Sequence, residues 1–263
     1  MAKMKVNDFI RMLKKAYNSK TLYVMGGWGF PLNSENKKRT FIQPYNCKPE
    51  RKVKINAASS DTFAFDCCGL PRSILWGWCA DTKARNGGAT YCANGVPEYD
   101  AKQFMFEGCT EQSRDFSKIE PGEFLWLDGH CGVYLGDGLA IESTPKWKDG
   151  VQITAVANIG KKKGYESRTW TYHGHLKYVD YSGVQPTPTP TEYVVGKDYK
   201  VICKDTLNVR RTTSTKNDKN IITELKPGTT ITCREVKKDA DGNTWIKIDG
   251  WIAAKYDGDT YVG

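Results

Sequence analysis

The sequence predicts an α+β body followed by a small all-β barrel. Three observations carry this. Apolar residues recur at helical spacing early in the chain. From Glu123 onward they fall into short runs separated by turns. Between the two parts, Gln185-Pro186-Thr187-Pro188-Thr189-Pro190-Thr191 alternates proline with threonine. Helices followed by a strand meander point to N-terminal helices packed on an antiparallel sheet. The proline run cannot ladder into helix or sheet and reads as an extended spacer. The expected domains are therefore 1–184 and 192–263, joined by a linker at 185–191.

Within 1–20, Phe9, Ile10, Leu13, Ala16 and Tyr17 share one helical face. Leu22-Tyr23-Val24-Met25-Gly26-Gly27 is a short apolar run closed by paired glycines. Residues 29–62 are polar and rich in turn formers, and read as a long surface excursion. Leu70, Ile74, Leu75 and Trp78 then return to helical spacing. Pro71 is acceptable only in a first turn, so Cys67 is expected at a helix N-terminus. Strands are expected at 123–127, 130–135, 139–143, 151–156 and 168–172. In the second part they are expected at 199–203, 207–209, 221–225, 230–234, 245–248 and 250–253. Pro227-Gly228 and Asp241-Gly242 supply turns there, giving a barrel of roughly 70 residues.

Hydrophobic content of 39% and aromatic content of 12% exclude disorder for most of the chain. No run approaches the ~18 apolar residues of a membrane span, so no membrane insertion is expected. Residues 1–20 lack both an apolar core and a small-residue cleavage site. The expectation is synthesis in the cytoplasm without a signal peptide. The nine cysteines are odd in number and contain no Cys-x-x-Cys, which disfavours a zinc ribbon. Free thiols are expected, with a Cys203–Cys233 bridge left open, and neither metal nor cofactor is expected. The net charge is +9, carried mostly by residues 1–190, and suits an anionic target such as nucleic acid or cell-wall polyanions. The densest basic runs are Lys37-Lys38-Arg39 and Lys161-Lys162-Lys163. They lack interleaved stacking aromatics and read as solvated loops, so no nucleic-acid partner is expected. The protein is expected to be a monomer.

The chemistry centres on Phe65-Asp66-Cys67-Cys68-Gly69-Leu70 and the later Gly129-His130-Cys131-Gly132-Val133-Tyr134. A thiol ahead of a helix and a histidine on a later strand suit a thiolate nucleophile and its base, which meet in space rather than in sequence. Cys68 is expected to face a different side, as a packing or subsite residue. The glycines around His130 are read as backbone space for a substrate. His173 and His175 are read as structural. Glu142 is the candidate to orient the imidazole. A three-residue Gly136-Asp137-Gly138 loop would put it on the face of His130, and a two-residue Asp137-Gly138 turn on the opposite face.

Taken together, Tyr23-Val24-x-Gly26-Gly27, Phe65-Asp66-Cys67-x-Gly69-Leu70 and Gly129-His130-x-Gly132-Val133-Tyr134-x-Gly136-Asp137-Gly138 resemble the NlpC-type cysteine peptidases. These are papain-like enzymes that cut the peptides of bacterial cell wall. The resemblance implies Cys67 as nucleophile, His130 as base and Glu142 as the third polar residue. It implies that Tyr23 lines the site, and that Asp66 and Cys68 hold the substrate's amino end. Cys68 stands where serine is usual, and Met25 replaces a frequent tryptophan. In the second part, Leu207-Asn208-Val209-Arg210, Leu225-Lys226-Pro227-Gly228 and Gly250-Trp251-Ile252 resemble bacterial SH3-like wall-binding modules. Trp245, Trp251 and Tyr256 are candidates for a ligand groove. The implied function is a peptidoglycan hydrolase of the kind phage endolysins represent, most simply a D-glutamyl-diamino-acid endopeptidase. The alternatives are an N-acetylmuramoyl-L-alanine amidase with the same triad, or a non-catalytic wall-binding protein. The expected partner is bacterial peptidoglycan, reached after release from the cell.

Overall fold

The computed structural model describes residues 3–182, 193–203, 205–215, 217–239, 243–256 and 259–263. The expected linker at 185–191 and the Asp241-Gly242 turn lie outside them. The chain divides into two compact units, Met1–Thr187 and Pro188–Gly263. The first is α+β, as the sequence predicts.

In that unit β1 (Met4–Lys5) leads into α1 (Val6–Tyr17), which buries Val6, Phe9, Leu13 and Ala16. Next, β2 (Thr21–Tyr23) and β3 (Trp28–Pro31) flank β4 (Phe63–Phe65) in a three-stranded sheet. The expected surface excursion at 29–62 is instead structured, by α2 (Ser34–Thr40) and α3 (Pro49–Ala57). The polar residues that read as turn formers start these helices. Asn33 accepts from the Asn36 amide at 2.9 Å, and Pro49 occupies the first turn of α3. Lys37-Lys38-Arg39 is accordingly helical rather than a loop, and the Arg39 guanidinium sits 4.2 Å from the Phe30 ring centroid.

After α4 (Gly69–Leu75) and α5 (Ala101–Phe106) the main sheet is assembled from β5 (Cys109–Ser113), β6 (Phe124–Leu127), β7 (His130–Gly136), β8 (Leu139–Thr144), β9 (Gly150–Val156), β10 (Ser167–Arg168) and β11 (Tyr172–Leu176). Its order is β10-β9-β8-β7-β6-β11-β5, antiparallel except for the β9–β10 edge. A short β12 (Val179–Asp180) returns to pair with β1. α1, α4 and α5 bury Phe9, Leu13, Leu70, Ile74 and Phe104 in one core with Phe124, Val133 and Ile141 of the sheet. The strand expected at 168–172 is split, because Trp170 turns inward at 2% exposure. Its amide and carbonyl are taken by the Asn158 side chain at 2.8 and 2.9 Å instead of by a neighbouring strand.

The β7–β8 hairpin corrects a specific expectation. Asp137 (φ 52°) and Gly138 (φ 71°) form a two-residue turn of the primed kind, which should have turned Glu142 away from His130. The register, however, shifts between Tyr134↔Ala140 and Gly136↔Leu139. The bulge adds one residue to β7, and the side-chain alternation of β8 changes face. Glu142 therefore meets His130 despite the short turn.

The second unit contains β13 (Asp198–Lys200), β14 (Leu207–Arg210), β15 (Ile221–Leu225), β16 (Thr230–Thr232), β17 (Glu235–Lys238), β18 (Thr244–Lys247), β19 (Trp251–Tyr256) and β20 (Asp259–Thr260). The principal sheet runs β15-β14-β19-β18-β17, with β20 on β19, and β13 pairs with β16. β17 was not expected, since Glu235-Val236-Lys237-Lys238 offers a single apolar residue to an alternation test. Val201, Val209, Ile231, Ile246, Ile252 and Val262 fill the unit's own core. Cys203 and Cys233 are free thiols, so the bridge left open by the sequence is not formed.

Because each unit has its own apolar core, residues 1–182 and 193–263 expressed separately should each unfold cooperatively on heating. Circular dichroism checks this, and a fragment without a transition would count against independent cores.

Candidate active site

Cys67 lies in a tight turn between β4 and α4, partly exposed. It precedes the helix by two residues rather than opening it. Asp66 holds the turn. Its Oδ2 accepts from the Gly26 amide at 2.8 Å and its Oδ1 from the Gly69 amide at 2.6 Å. A Cβ on Gly69 would lie 1.7 Å from the Gly27 carbonyl oxygen, so the Cys67 turn approaches the paired-glycine loop closely only because residue 69 is glycine. From the sheet side, Ser143 Oγ donates to the Phe65 carbonyl at 2.9 Å. That bond ties β8 to the segment that carries the thiol.

His130 and Glu142 meet across the hairpin, Nε2 to Oε2 at 2.7 Å. Glu142 is fully buried and both its oxygens are saturated. Thr154 Oγ1 donates to Oε1 at 2.7 Å and Arg168 Nε to Oε1 at 3.0 Å, and Arg168 Nη2 forms an ion pair with Oε2 at 2.7 Å. The Trp170 ring stacks on the imidazole, with centroids 5.7 Å apart and planes at 13°. A Cβ on Gly132 would fall 2.9 Å from that indole. The space read as room for substrate is thus occupied by Trp170. With Nε2 committed to Glu142, Nδ1 is the ring nitrogen left for Cys67, whose thiol lies near enough to shift the imidazole.

The electrostatics follow from these contacts. Burial pushes the Glu142 carboxyl up, but His130 and Arg168 outweigh it, and the net shift is downward. Burial pulls the His130 imidazole down, while hydrogen bonds and charge from Cys67 and Glu142 raise it above its usual range. Hydrogen bonds from Cys131 and Cys68 hold the Cys67 thiol well below an ordinary thiol, against burial and with further help from His130. Thiolate beside imidazolium is the form these shifts favour. The expected helix-terminus contribution is replaced by the imidazole and the neighbouring thiols.

The remaining sequence candidates separate. Tyr23 is buried beside Cys67, and burial, then the Cys67 and Asp66 charges, push its phenol up, so it stays protonated. Asp66 is 8% exposed, and burial, then Cys67, raise it to about 7 against Arg72 and the two glycine amides. Cys68 is buried, with Sγ 3.5 Å from Cys131. Trp245 is 1% exposed with Nε1 donating to Asp239, so it is a core residue and not part of a surface groove. Trp251 and Tyr256 are half-buried, with Lys237 and Lys247 against the Trp251 ring and Thr215 on the Tyr256 hydroxyl at 2.8 Å. Both other histidines pack in one polar cluster. His173 is paired with Glu123, while His175 stacks on Tyr181 at 4.0 Å and contacts Glu123 and Glu120 at 3.1 and 3.3 Å. Among the described residues, two sets of possible ligand atoms, Cys67/Cys68/Cys131 and Glu120/Glu123/His175, each lie within 4.8 Å of one another, although no metal is expected from the sequence.

Arg168, Thr154 and Trp170 escaped the sequence reading. Thr154 lies one diagonal from Glu142 on β9, whose pairing Ala140↔Thr154 only the register reveals. Arg168 sits on a two-residue edge strand with no pattern of its own.

No protein-family model matches the chain, and no curated protein matches it. Among solved structures, the chain is similar to the crystal structure of Ly7917 with the hydrolyzing product of MDP. Identity there is 15%, coverage is 75% of this chain and 88% of that one, and the TM-score is 0.26. For the crystal structure of Ly7917 the values are 14%, 75%, 88% and 0.24.

Iodoacetamide labelling of Cys67, followed peptide by peptide, should report the thiolate directly. The rate should stay high from neutral into mildly acidic pH, and in His130→Ala its inflection should move up towards the ordinary 9.0. An inflection already near 9.0 in the native protein would contradict the pairing. Stability adds a second readout. Glu142's pKa is depressed, so its contribution is present above about 4.5 and lost as pH falls through the folded value. His130's is raised, so its contribution is complete below about 6.5 and lost as pH rises through the folded value. Glu142→Ala strands both cations and should cost ~3 kcal/mol or more between those limits.

Proposed function

We propose that this protein is a peptidoglycan hydrolase that cleaves an amide bond of the wall stem peptide through a Cys67 thiolate. The observation that carries the reading is a buried Glu142, held by Arg168 and Thr154, that binds His130, whose ionisation is in turn shifted by the neighbouring Cys67. In this mechanism Cys67 Sγ attacks the carbonyl carbon. His130 gives its proton to the departing amine, and a thioester remains. Water then attacks the thioester with His130 as base, releasing the acid and restoring the thiolate. Glu142 keeps the ring oriented and stabilises the imidazolium.

The substrate class rests on the resemblance of the Tyr23, Cys67 and His130 segments to NlpC-type peptidases, and on the basic charge of the body, which suits an anionic polymer. The bond we favour joins D-glutamate to the diamino acid. Tyr23 is at hand beside Cys67 to line the site. Asp66 is largely spent on the glycine amides, so its role here is to hold the turn. The second unit is read as the wall-binding module, with Trp251 and Tyr256 as its remaining groove candidates.

Purified wall suspensions should lose turbidity with the native protein, and Cys67→Ala should reduce that rate at least ~1,000-fold without changing the circular dichroism. Mass spectrometry of the released fragments identifies the bond. A new free amine on the diamino acid is the expected product. A free lactyl group on muramic acid would instead indicate an amidase, and lysis undiminished in Cys67→Ala would overturn the mechanism.

A further inference from the structure

Two buried thiols that the hydrolytic mechanism does not use adjoin Cys67. Cys68 follows it in the turn and is 7% exposed, and Cys131 follows His130 on β7 and is 0% exposed. The three Sγ atoms lie within 4.8 Å of one another, with Cys68 to Cys131 at 3.5 Å and Cys67 to Cys68 at 4.0 Å. Only Cys67 is partly open to solvent. A disulfide brings two sulfurs to ~2.05 Å, so closure of Cys67 on Cys131 asks for at most about 2.8 Å of movement shared between two side chains.

The chain geometry selects the partner. Consecutive Cα atoms are ~3.8 Å apart across a trans peptide. A bridge prefers about 4.4–6.8 Å. A Cys67–Cys68 bridge is thereby disfavoured. Cys131 comes from a different element and carries no such restriction.

We propose that Cys131 is the resolving cysteine for oxidised Cys67, so that a hydroperoxide converts the site into a reversible Cys67–Cys131 disulfide. The Cys67 thiolate attacks the peroxide oxygen and cleaves the O–O bond. Hydrogen peroxide gives a Cys67 sulfenic acid and hydroxide. The Cys131 sulfur then attacks the sulfenic sulfur. The S–S bond forms, the S–O bond breaks, and the hydroxyl departs with the Cys131 proton as water. Two electrons from an external dithiol restore both thiols. Without Cys131 the sulfenic acid is open to further oxidation, to sulfinic and sulfonic acids that a dithiol does not reduce. The site would stop working in oxidising surroundings and resume on reduction. The effect on lysis rests on the hydrolase reading, and the cross-link itself does not.

The test exposes the full-length protein, in buffer containing a chelator, to near-stoichiometric hydrogen peroxide. Remaining thiols are then blocked with N-ethylmaleimide, and the digest is mapped by mass spectrometry. The expected product joins the peptide carrying Cys67 to that carrying Cys131, lighter by two hydrogens. A Cys68→Ser background leaves Cys67 as the sole partner in its peptide and should still give the cross-link. Lysis should fall with cross-linking and return with dithiothreitol. In Cys131→Ala, Cys67 should instead gain two or three oxygens, and dithiothreitol should recover several-fold less activity. Cys131→Val serves as a second variant, and each is checked by circular dichroism. Native protein that accumulates sulfinic acid on Cys67 without a link to Cys131 would overturn the proposal. So would a link that disappears in the Cys68→Ser background. A cross-link in protein that never lyses walls would overturn the hydrolase reading and leave this one standing.

Discussion

A carboxylate with no exposure to water governs this site. Glu142 sits on a central strand of the main sheet, where an unpaired charge would be severely destabilising. It persists as an anion because hydrogen bonds from His130, Thr154 and Arg168 and an ion pair with Arg168 meet its two oxygens. Those donors come from β7, β9 and β10, so the order of the sheet is what gathers them. The satisfied carboxylate in turn holds Nε2 of His130. Ring orientation and imidazolium stability both descend from one buried ion.

The second requirement is to bring Cys67 to that imidazole. Two contacts achieve it. Asp66 folds the turn onto the Gly26-Gly27 loop, and Ser143, the residue after Glu142, grips the Phe65 carbonyl. The strand that carries Glu142 therefore also holds the segment that carries Cys67. Asp66 illustrates how one residue serves position rather than chemistry: its oxygens are aimed at backbone amides, and its pKa of about 7 reflects burial next to the thiolate.

The parts of this arrangement visible in the sequence were those with local signals. The α+β class, the amphipathic face of α1 and the four strands from β6 to β9 follow from periodicity, and Cys67 and His130 stand out as a thiol ahead of a helix and a histidine on a later strand. Glu142 was legible as a candidate only through the hairpin. Loop length alone does not fix its face, because the β7 bulge resets the register. Arg168 and Thr154 were invisible because their partnership with Glu142 depends on strand order and diagonal register. The helices at 34–40 and 49–57 were mistaken for loop, since capping polar residues resemble turn formers. Trp245 shows the opposite limit: aromatics of a small β unit do not announce whether they face the core or the solvent, and this one faces the core.

The most direct measurement is to trap the acyl-enzyme. Purified muropeptides would be mixed with the protein, quenched in acid within the first turnover, and the digest searched for a hydroxylamine-sensitive adduct. The chemistry argued here predicts a thioester on Cys67, bearing the acyl half of the cleaved stem peptide, absent from Cys67→Ala and accumulating more slowly in His130→Ala. Cleavage that proceeds with no adduct on Cys67, and that continues in Cys67→Ala, would contradict it.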